Sequence, residues 1–258
     1  MNSRTLVTVS TFVAASALGA QKAPDVTPYL IADRAAEVAL ARTAAPSVIS
    51  ENATVLVLTP KGYIEAAHGT NGFTCLVMRS FAAAPDDPAF WNTHTSAPHC
   101  FNPPASRTVL PAMLAQIDWA LAGATPAELN ARIKKAYAEK RFAMPGEGAM
   151  AYMLSPKQHL SDDDDPHWMP HLMFYFDRAL KGATFGAGGM TAPVIDASAG
   201  DPNSPIQVIY IPIRTWSDGT PALHDGVSGA EIRRDSLVGE LRLPDNRKYR
   251  DVSTARSR

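Results

Sequence analysis

The residues most suited to chemistry in this chain are an alternating set of histidine and methionine, His167, Met169, His171 and Met173. In an extended strand, residues two apart point to the same face, so these four side chains would lie together. Imidazole and thioether groups suit copper as ligands, and methionine favours Cu(I). One hypothesis is therefore a metal-dependent hydrolase or redox enzyme that holds copper or another transition metal at this set.

Strand geometry limits this hypothesis. The Cα atoms of residues four apart in a strand lie about 13 Å from each other, which is too far for His167 and His171 to share one ion bound at about 2 Å. A single-ion site needs a turn near Pro170 or a ligand from elsewhere. In the alternative interpretation, the methionines fill gaps in the core and the histidines form hydrogen bonds at the start of a strand. That interpretation predicts no cofactor.

Common catalytic motifs are missing from the sequence. It has no phosphate-binding Gly-Lys-Ser/Thr loop, no Gly-x-Ser-x-Gly elbow and no His-Glu-x-x-His zinc motif. The four aspartates Asp162–Asp165 lack the alternating spacing of a calcium loop, and we interpret them as a solvated turn. We therefore assign no residue a catalytic role from the sequence.

A second hypothesis is a surface that binds a small molecule. Trp91 and His99 lie in a proline-rich segment, and Trp168 and Tyr175 belong to one strand-like stretch. Such side chains combine an apolar body with a polar tip, which suits a concave ligand site. Binding of a small ligand, or a non-catalytic role, is our leading prediction. An envelope scaffold or interaction protein without a pocket is a further alternative.

The start of the chain predicts export. Arg4 precedes an apolar stretch from Leu6 to Leu18, and Ala17-Leu18-Gly19 provides small residues for cleavage near residue 20. This stretch is too short for a membrane-spanning helix, so residues 1–20 read as a signal peptide that is removed. We expect the mature protein in the periplasm or secreted, as a soluble domain.

Two cysteines, Cys75 and Cys100, fit this destination. A disulfide is chemically permitted outside the cytoplasm, and this pair would close a loop of about 25 residues. The segment from Ala82 to His99 contains three prolines and shows no helical or strand periodicity. We predict a structural disulfide that ties this loop down, in preference to a reactive thiol beside His99.

Composition excludes two classes of partner. The chain of 258 residues has a formal net charge of −1 and 19% charged residues, which leaves no basic surface for nucleic acid. No segment after the signal approaches the ~20 apolar residues of a membrane span. The expected partner is an unknown small molecule or an envelope component.

The order of the predicted elements indicates the fold class. Three strand-like runs are followed by two helices, the second of which begins with a capping box at Thr125 and Glu128. Strand-like runs return at 149–154, 172–176 and 206–211. We predict an α+β fold with a mostly antiparallel sheet and two or three helices packed on one face. One globular domain would span residues 21–225, and a polar, disordered tail 226–258.

Several stretches carry a resemblance to other proteins. They are Asn71–Cys75, Asp87–Asn92, Cys100–Pro103, Pro166–Phe174 and Trp216–Thr220. In these stretches the chain resembles a group of exported bacterial proteins without assigned function. The resemblance covers about residues 36–220. It implies a single domain and a bacterial source, and it brings no catalytic residues.

Overall fold

The structure is a computed structural model that describes residues 24–162, 167–189, 192–197 and 204–222. The predicted signal peptide at residues 1–20 and the predicted tail at 226–258 lie outside the described residues. Among the helices that the structure describes, none has the length and hydropathy that a bilayer crossing requires.

The described residues form five α-helices and eight β-strands. The helices are α1 (Arg34–Arg42), α2 (Ser47–Ser50), α3 (Pro103–Thr108), α4 (Leu110–Leu121) and α5 (Pro126–Ala138). The strands are β1 (Thr54–Thr59), β2 (Gly62–Ala67), β3 (Thr74–Met78), β4 (Ala97–Phe101), β5 (Met150–Met153), β6 (His171–Asp177), β7 (Ile195–Asp196) and β8 (Ile206–Pro212).

The eight strands form one sheet in the order β2-β1-β3-β4-β5-β6-β8-β7. Every neighbouring pair is antiparallel except β1 and β3, which run parallel. The α+β class with a mostly antiparallel sheet is therefore confirmed. The first three strands have mixed pairing, because β1 lies between β2 and β3 and runs antiparallel to β2 and parallel to β3.

Alternation along β3 divides the core between the two faces of the sheet. Leu76 and Met78 belong to a cluster that α3, α4 and α5 cover, and we call this side the α4 face. Cys75 and Val77 belong to a cluster that α1 covers, and we call this side the α1 face. Because both faces are covered, β3 is apolar on both sides, as expected for a central strand.

The predicted capping box of α5 is present. The Thr125 hydroxyl accepts a hydrogen bond from the Glu128 N–H, and the Glu128 carboxylate accepts one from the Thr125 N–H. The hydrogen bonds that the Glu128 carboxylate accepts from the Thr125 N–H and from the Thr125 hydroxyl lower the pKa of Glu128. The box satisfies two backbone donors that an uncapped helix start would leave without partners.

The predicted disulfide is confirmed, and it joins two residues that face each other directly across β3 and β4. Cys75 pairs with Cys100 in the ladder, and their Cα atoms are 4.0 Å apart. Both residues are buried on the α1 face. The bridge therefore closes the chain between β3 and β4 at the base of the segment it was expected to tie down.

That segment is shorter than the sequence indicated, because β4 begins at Ala97. Pro98 argued against a strand here, since proline cannot donate to a ladder. In the structure β4 pairs with β3 along its whole length, whereas its pairing with β5 is limited to Cys100 and Phe101. Pro98 therefore lies in the part of β4 that does not pair with β5.

A buried ion pair joins α1 to the end of β3. The Arg79 Nη2 atom lies 2.9 Å from the Glu37 Oε1 atom, and both side chains are almost wholly buried. Arg79 also donates to the carbonyls of Tyr29 and Val77, and Glu37 accepts from the Leu58 N–H. One charge pair therefore connects four separate parts of the chain.

Removing the disulfide tests its contribution to stability. Cys75→Ala combined with Cys100→Ala should lower the free energy of unfolding by roughly 3–4 kcal/mol, because the unfolded chain regains the entropy of an open loop of this length. Urea unfolding measures the change. Reductant should destabilise the native protein by a similar amount and leave the variant unaffected. Equal stability of both proteins would contradict the prediction.

Removing one charge of the Glu37–Arg79 pair should lower the free energy of unfolding more than removing both charges. Glu37→Gln leaves the Arg79 charge buried without its partner, and we expect a loss of about 3–5 kcal/mol in urea unfolding. The double variant Glu37→Leu with Arg79→Met removes both charges and should lose less than the two single changes together. Glu65→Gln, at an exposed glutamate beside His68, is the control and should change stability by less than about 1 kcal/mol. If the loss in the double variant equalled the sum of the losses from Glu37→Leu and Arg79→Met alone, this interpretation of the pair would be wrong.

Candidate functional site

A cavity of about 390 Å³ opens on the α4 face of the sheet, and we call it the sheet-face cavity. Its floor comes from neighbouring strands, and its rim from α4 and from the chain that follows β3. The apolar part of the lining includes Met78, Ala97, Met113, Met153, Met173 and Val208, and the polar part includes Ser80, His99, Tyr175 and Tyr210. Its size and mixed lining are typical of small-molecule sites.

Strand register brings these residues together. Met173 pairs with Tyr210 and Tyr175 with Val208 between β6 and β8, so all four share a face. On β4, Ala97 and His99 are two residues apart and therefore point to the same side. The cavity is thus a consequence of alternation along five adjacent strands, β3, β4, β5, β6 and β8.

His99 is a buried, neutral histidine on the cavity wall. Burial lowers its pKa below the usual value, against the raising effect of its bond to Ala97. Its Nδ1 atom lies 2.9 Å from the Ala97 carbonyl oxygen, which can only accept, so Nδ1 carries the proton. The ring stacks on Phe101, with 5.9 Å between centroids. The Nε2 atom of the neutral ring is consequently a hydrogen-bond acceptor.

His171, at the start of β6, has the same internal arrangement. Burial lowers its pKa to about 4, the Met169 hydrogen bond opposes that shift, and His99 contributes a smaller lowering effect. The Nδ1 atom donates to the Met169 carbonyl over 2.8 Å. The ring packs against Trp168 and Tyr210, with centroid separations of 4.5 and 4.8 Å. His171 therefore packs against Tyr210, which is one of the residues that line the cavity.

The other polar groups of the cavity are uncharged or already paired. The Ser80 hydroxyl is buried and has no hydrogen-bond partner among the described residues. Burial raises the pKa of both Tyr175 and Tyr210, which keeps the phenols neutral. The Tyr175 hydroxyl donates to the Met173 sulfur at 3.5 Å. Arg79 also borders the cavity, and its guanidinium is paired with Glu37.

The four residues of the small-ligand hypothesis are divided in the structure. His99 and Tyr175 line the sheet-face cavity, and Trp168 lies beside it against His171 and Tyr210. Trp91 lies elsewhere: its ring packs against Tyr29, Phe81 and Phe90, and it borders a second cavity of about 290 Å³. Two of the four residues therefore share one cavity.

The residues of the metal hypothesis lie in different surroundings. His167 is exposed, and its Nε2 atom lies 3.1 Å from the Pro156 carbonyl oxygen. His171 is buried, and Met173 lines the cavity. Met169 is half-buried and lies before the strand. The alternating pattern governs side-chain direction only within β6, which begins at His171, so it does not extend to His167 and Met169.

A different group of potential ligands was not anticipated from the sequence. The ligand atoms of His94, His159 and Asp162 all lie within 4.8 Å of one another. The Asp162 Oδ1 atom is 2.8 Å from His94 Nδ1 and 3.5 Å from His159 Nε2. The hydrogen bond from His94 is the main cause that lowers the pKa of Asp162.

Two loops build this group, which we call the His94–His159–Asp162 triad. His94 lies between β3 and β4, and the other two residues lie between β5 and β6. Ser96 and His159 exchange two backbone hydrogen bonds of 2.8 Å, which hold the loops together. The spacing of His159 and Asp162 was visible in the sequence, whereas the approach of His94, 65 positions earlier, was not. Asp163–Asp165, the rest of the aspartate run, lie outside the described residues.

Comparisons of the chain with protein-family models, with curated proteins and with solved structures find no match. Functional inference for this protein therefore depends on the geometry of its own residues.

The buried state of His171 predicts a specific pH dependence of stability. Between about pH 6.5 and 4 the unfolded chain binds a proton at His171 that the folded chain does not bind, so stability falls as the pH falls. Between pH 7 and 5 this amounts to roughly 2 kcal/mol. His171→Gln should remove about that much of the pH dependence in urea unfolding.

The control for this measurement is His68→Gln, which changes an exposed histidine far from the cavity. It should leave the difference in stability between pH 7 and pH 5 as it is in the native protein. If His171→Gln behaved in the same way, the desolvated, neutral state assigned to His171 would be wrong.

Proposed function

We propose that this chain is an exported bacterial protein that binds a small, uncharged and largely apolar molecule in the sheet-face cavity. The observation that carries the proposal is the lining of that cavity. Apolar side chains surround two polar groups that retain hydrogen-bonding capacity, the Ser80 hydroxyl and the His99 Nε2 atom. Such a combination gives affinity through the walls and orientation through the polar groups.

The charges around the cavity favour a neutral ligand. Arg79 is the one cationic side chain among its described lining residues, and Glu37 and two carbonyls already engage it. The Asp87 carboxylate accepts a hydrogen bond from the Ala89 N–H. An anionic ligand would have to lose its hydration without gaining a free positive charge, which is costly in an apolar site.

The two polar groups also constrain the ligand. The serine hydroxyl donates or accepts, and the neutral imidazole nitrogen accepts. A ligand with one hydroxyl or N–H group attached to an apolar body satisfies both requirements. Leaving the buried hydroxyl unpaired costs about 1–3 kcal/mol, so a ligand that pairs it gains affinity from that contact.

Export and the location outside the cytoplasm belong to the same proposal. The signal-like residues 1–20 and the Cys75–Cys100 disulfide support it, since disulfides persist in oxidising compartments. In the periplasm or outside the cell, a protein of this kind would meet small molecules from the surroundings.

A neutral fluorescent probe tests the cavity. N-phenyl-1-naphthylamine should bind saturably, and more tightly than the anionic dye 1-anilinonaphthalene-8-sulfonate. Ala84→Phe places a large side chain on the cavity wall and should weaken binding of the neutral probe at least tenfold, because the space is filled. Fluorescence titration measures both affinities.

The matched control is Ala66→Phe in β2, which adds the same ring at an equally half-buried alanine that does not line the cavity. It should leave probe affinity unchanged, and urea unfolding should show that both variants fold. Equal affinity of native protein and Ala84→Phe, or no saturable binding, would overturn the proposal.

A further inference from the structure

We propose that the His94–His159–Asp162 triad binds one divalent transition-metal ion, such as zinc. Two imidazoles and one carboxylate are a ligand set that zinc and other first-row divalent metals accept. This site is separate from the sequence-based His and Met set. It also does not depend on a ligand in the sheet-face cavity.

The separations of the ligand atoms fit a metal ion. Bonds of 2.0–2.1 Å in a tetrahedral arrangement place the ligand atoms about 3.3 Å from one another. In the triad, Asp162 Oδ1 lies 2.8 Å from one imidazole nitrogen and 3.5 Å from the other, and no separation exceeds 4.8 Å. An ion requires only small side-chain rotations, and these are available because the three side chains are partly exposed.

The surroundings of the triad orient its members. The Asn92 amide donates to the second carboxylate oxygen of Asp162 over 2.8 Å, and the Asn92 side-chain oxygen accepts from the His94 N–H over 2.8 Å. One residue therefore positions two of the three ligands. Outer contacts of this kind commonly hold metal ligands in place. The double hydrogen bond between Ser96 and His159 fixes the third ligand relative to the first.

Three protein ligands leave coordination positions open. Structural zinc sites are closed by four protein ligands, whereas sites with three retain a position for water or another small ligand. The residues next to the triad, Thr95 and Leu160, line the sheet-face cavity. The proposed ion is therefore attached to the same two loops that form part of the cavity wall.

The competing account treats the triad as a hydrogen-bond cluster that only joins two loops. Exposed histidine–carboxylate pairs do occur without metal, and His68 with Glu65 is one on this protein, at 3.2 Å. That pair supplies the internal control. It has one imidazole and one carboxylate, and no second imidazole belongs to a ligand group with it among the described residues.

Zinc titration of the full chain, purified without a histidine tag, distinguishes the two accounts. Calorimetry should show one zinc ion per chain, and His94→Ala and His159→Ala should each weaken binding at least tenfold. His68→Ala should leave affinity unchanged. In NMR spectra, zinc should shift the ring signals of His94 and His159 and leave those of His68 unaffected.

Calcium competition separates the triad from the neighbouring aspartates. A tenfold excess of calcium should not displace zinc, because imidazole nitrogen is a poor ligand for calcium. Displacement would assign the ion to carboxylates and overturn the proposal.

Unchanged zinc affinity in both His94→Ala and His159→Ala would overturn it too, and so would the lack of zinc binding to native protein at 100 µM. Probe binding in the cavity is measured separately, so failure of one proposal does not affect the other.

Discussion

The buried pair of Glu37 and Arg79 is the constraint on which much of the structure depends. A charge removed from water must find a partner, and here the partners come from α1, from the backbone near Tyr29 and from the ends of β1 and β3. Any arrangement that separates these elements leaves a buried charge without its partner. The cost is several kcal/mol out of a total free energy of unfolding of about 5–15 kcal/mol. Because Ser80 follows Arg79 directly, the pair also fixes one wall of the sheet-face cavity.

The disulfide lies on the α1 face, which is the face that the helix carrying Glu37 covers, and it acts on the same stretch of chain. Arg79 anchors the start of the segment between β3 and β4, and the Cys75–Cys100 bridge holds the two strands from which it emerges. This segment supplies Ser80 to the cavity and His94 to the triad. Long irregular loops are uncommon in compact domains, and the ion pair and the disulfide restrain this one near its ends.

Sequence patterns predicted the parts of the fold that local chemistry decides. The capping box at Thr125, the alternation in β6 and the cysteine pair all depend on near neighbours or on a simple pairing rule. The prediction of an irregular segment as far as His99 was wrong, because the effect of Pro98 depends on which side of β4 is paired. The approach of His94 to Asp162 could not be predicted, since it arises from two loops brought together by β4 and β5. The neutral states of His99 and His171 depend on burial, and the sequence alone does not show which histidines are buried.

The cavity and the triad differ in electrostatic character, and the difference suits both proposals. The cavity is apolar, its histidine is neutral and its arginine is paired, so it favours uncharged ligands. The triad is solvent-exposed, where a carboxylate stays ionised and an ion can enter. Thr95 and Leu160 connect the two, because each adjoins a member of the triad in sequence and lines the cavity. A metal ion that joins the two loops would thereby hold these two parts of the cavity wall in one arrangement.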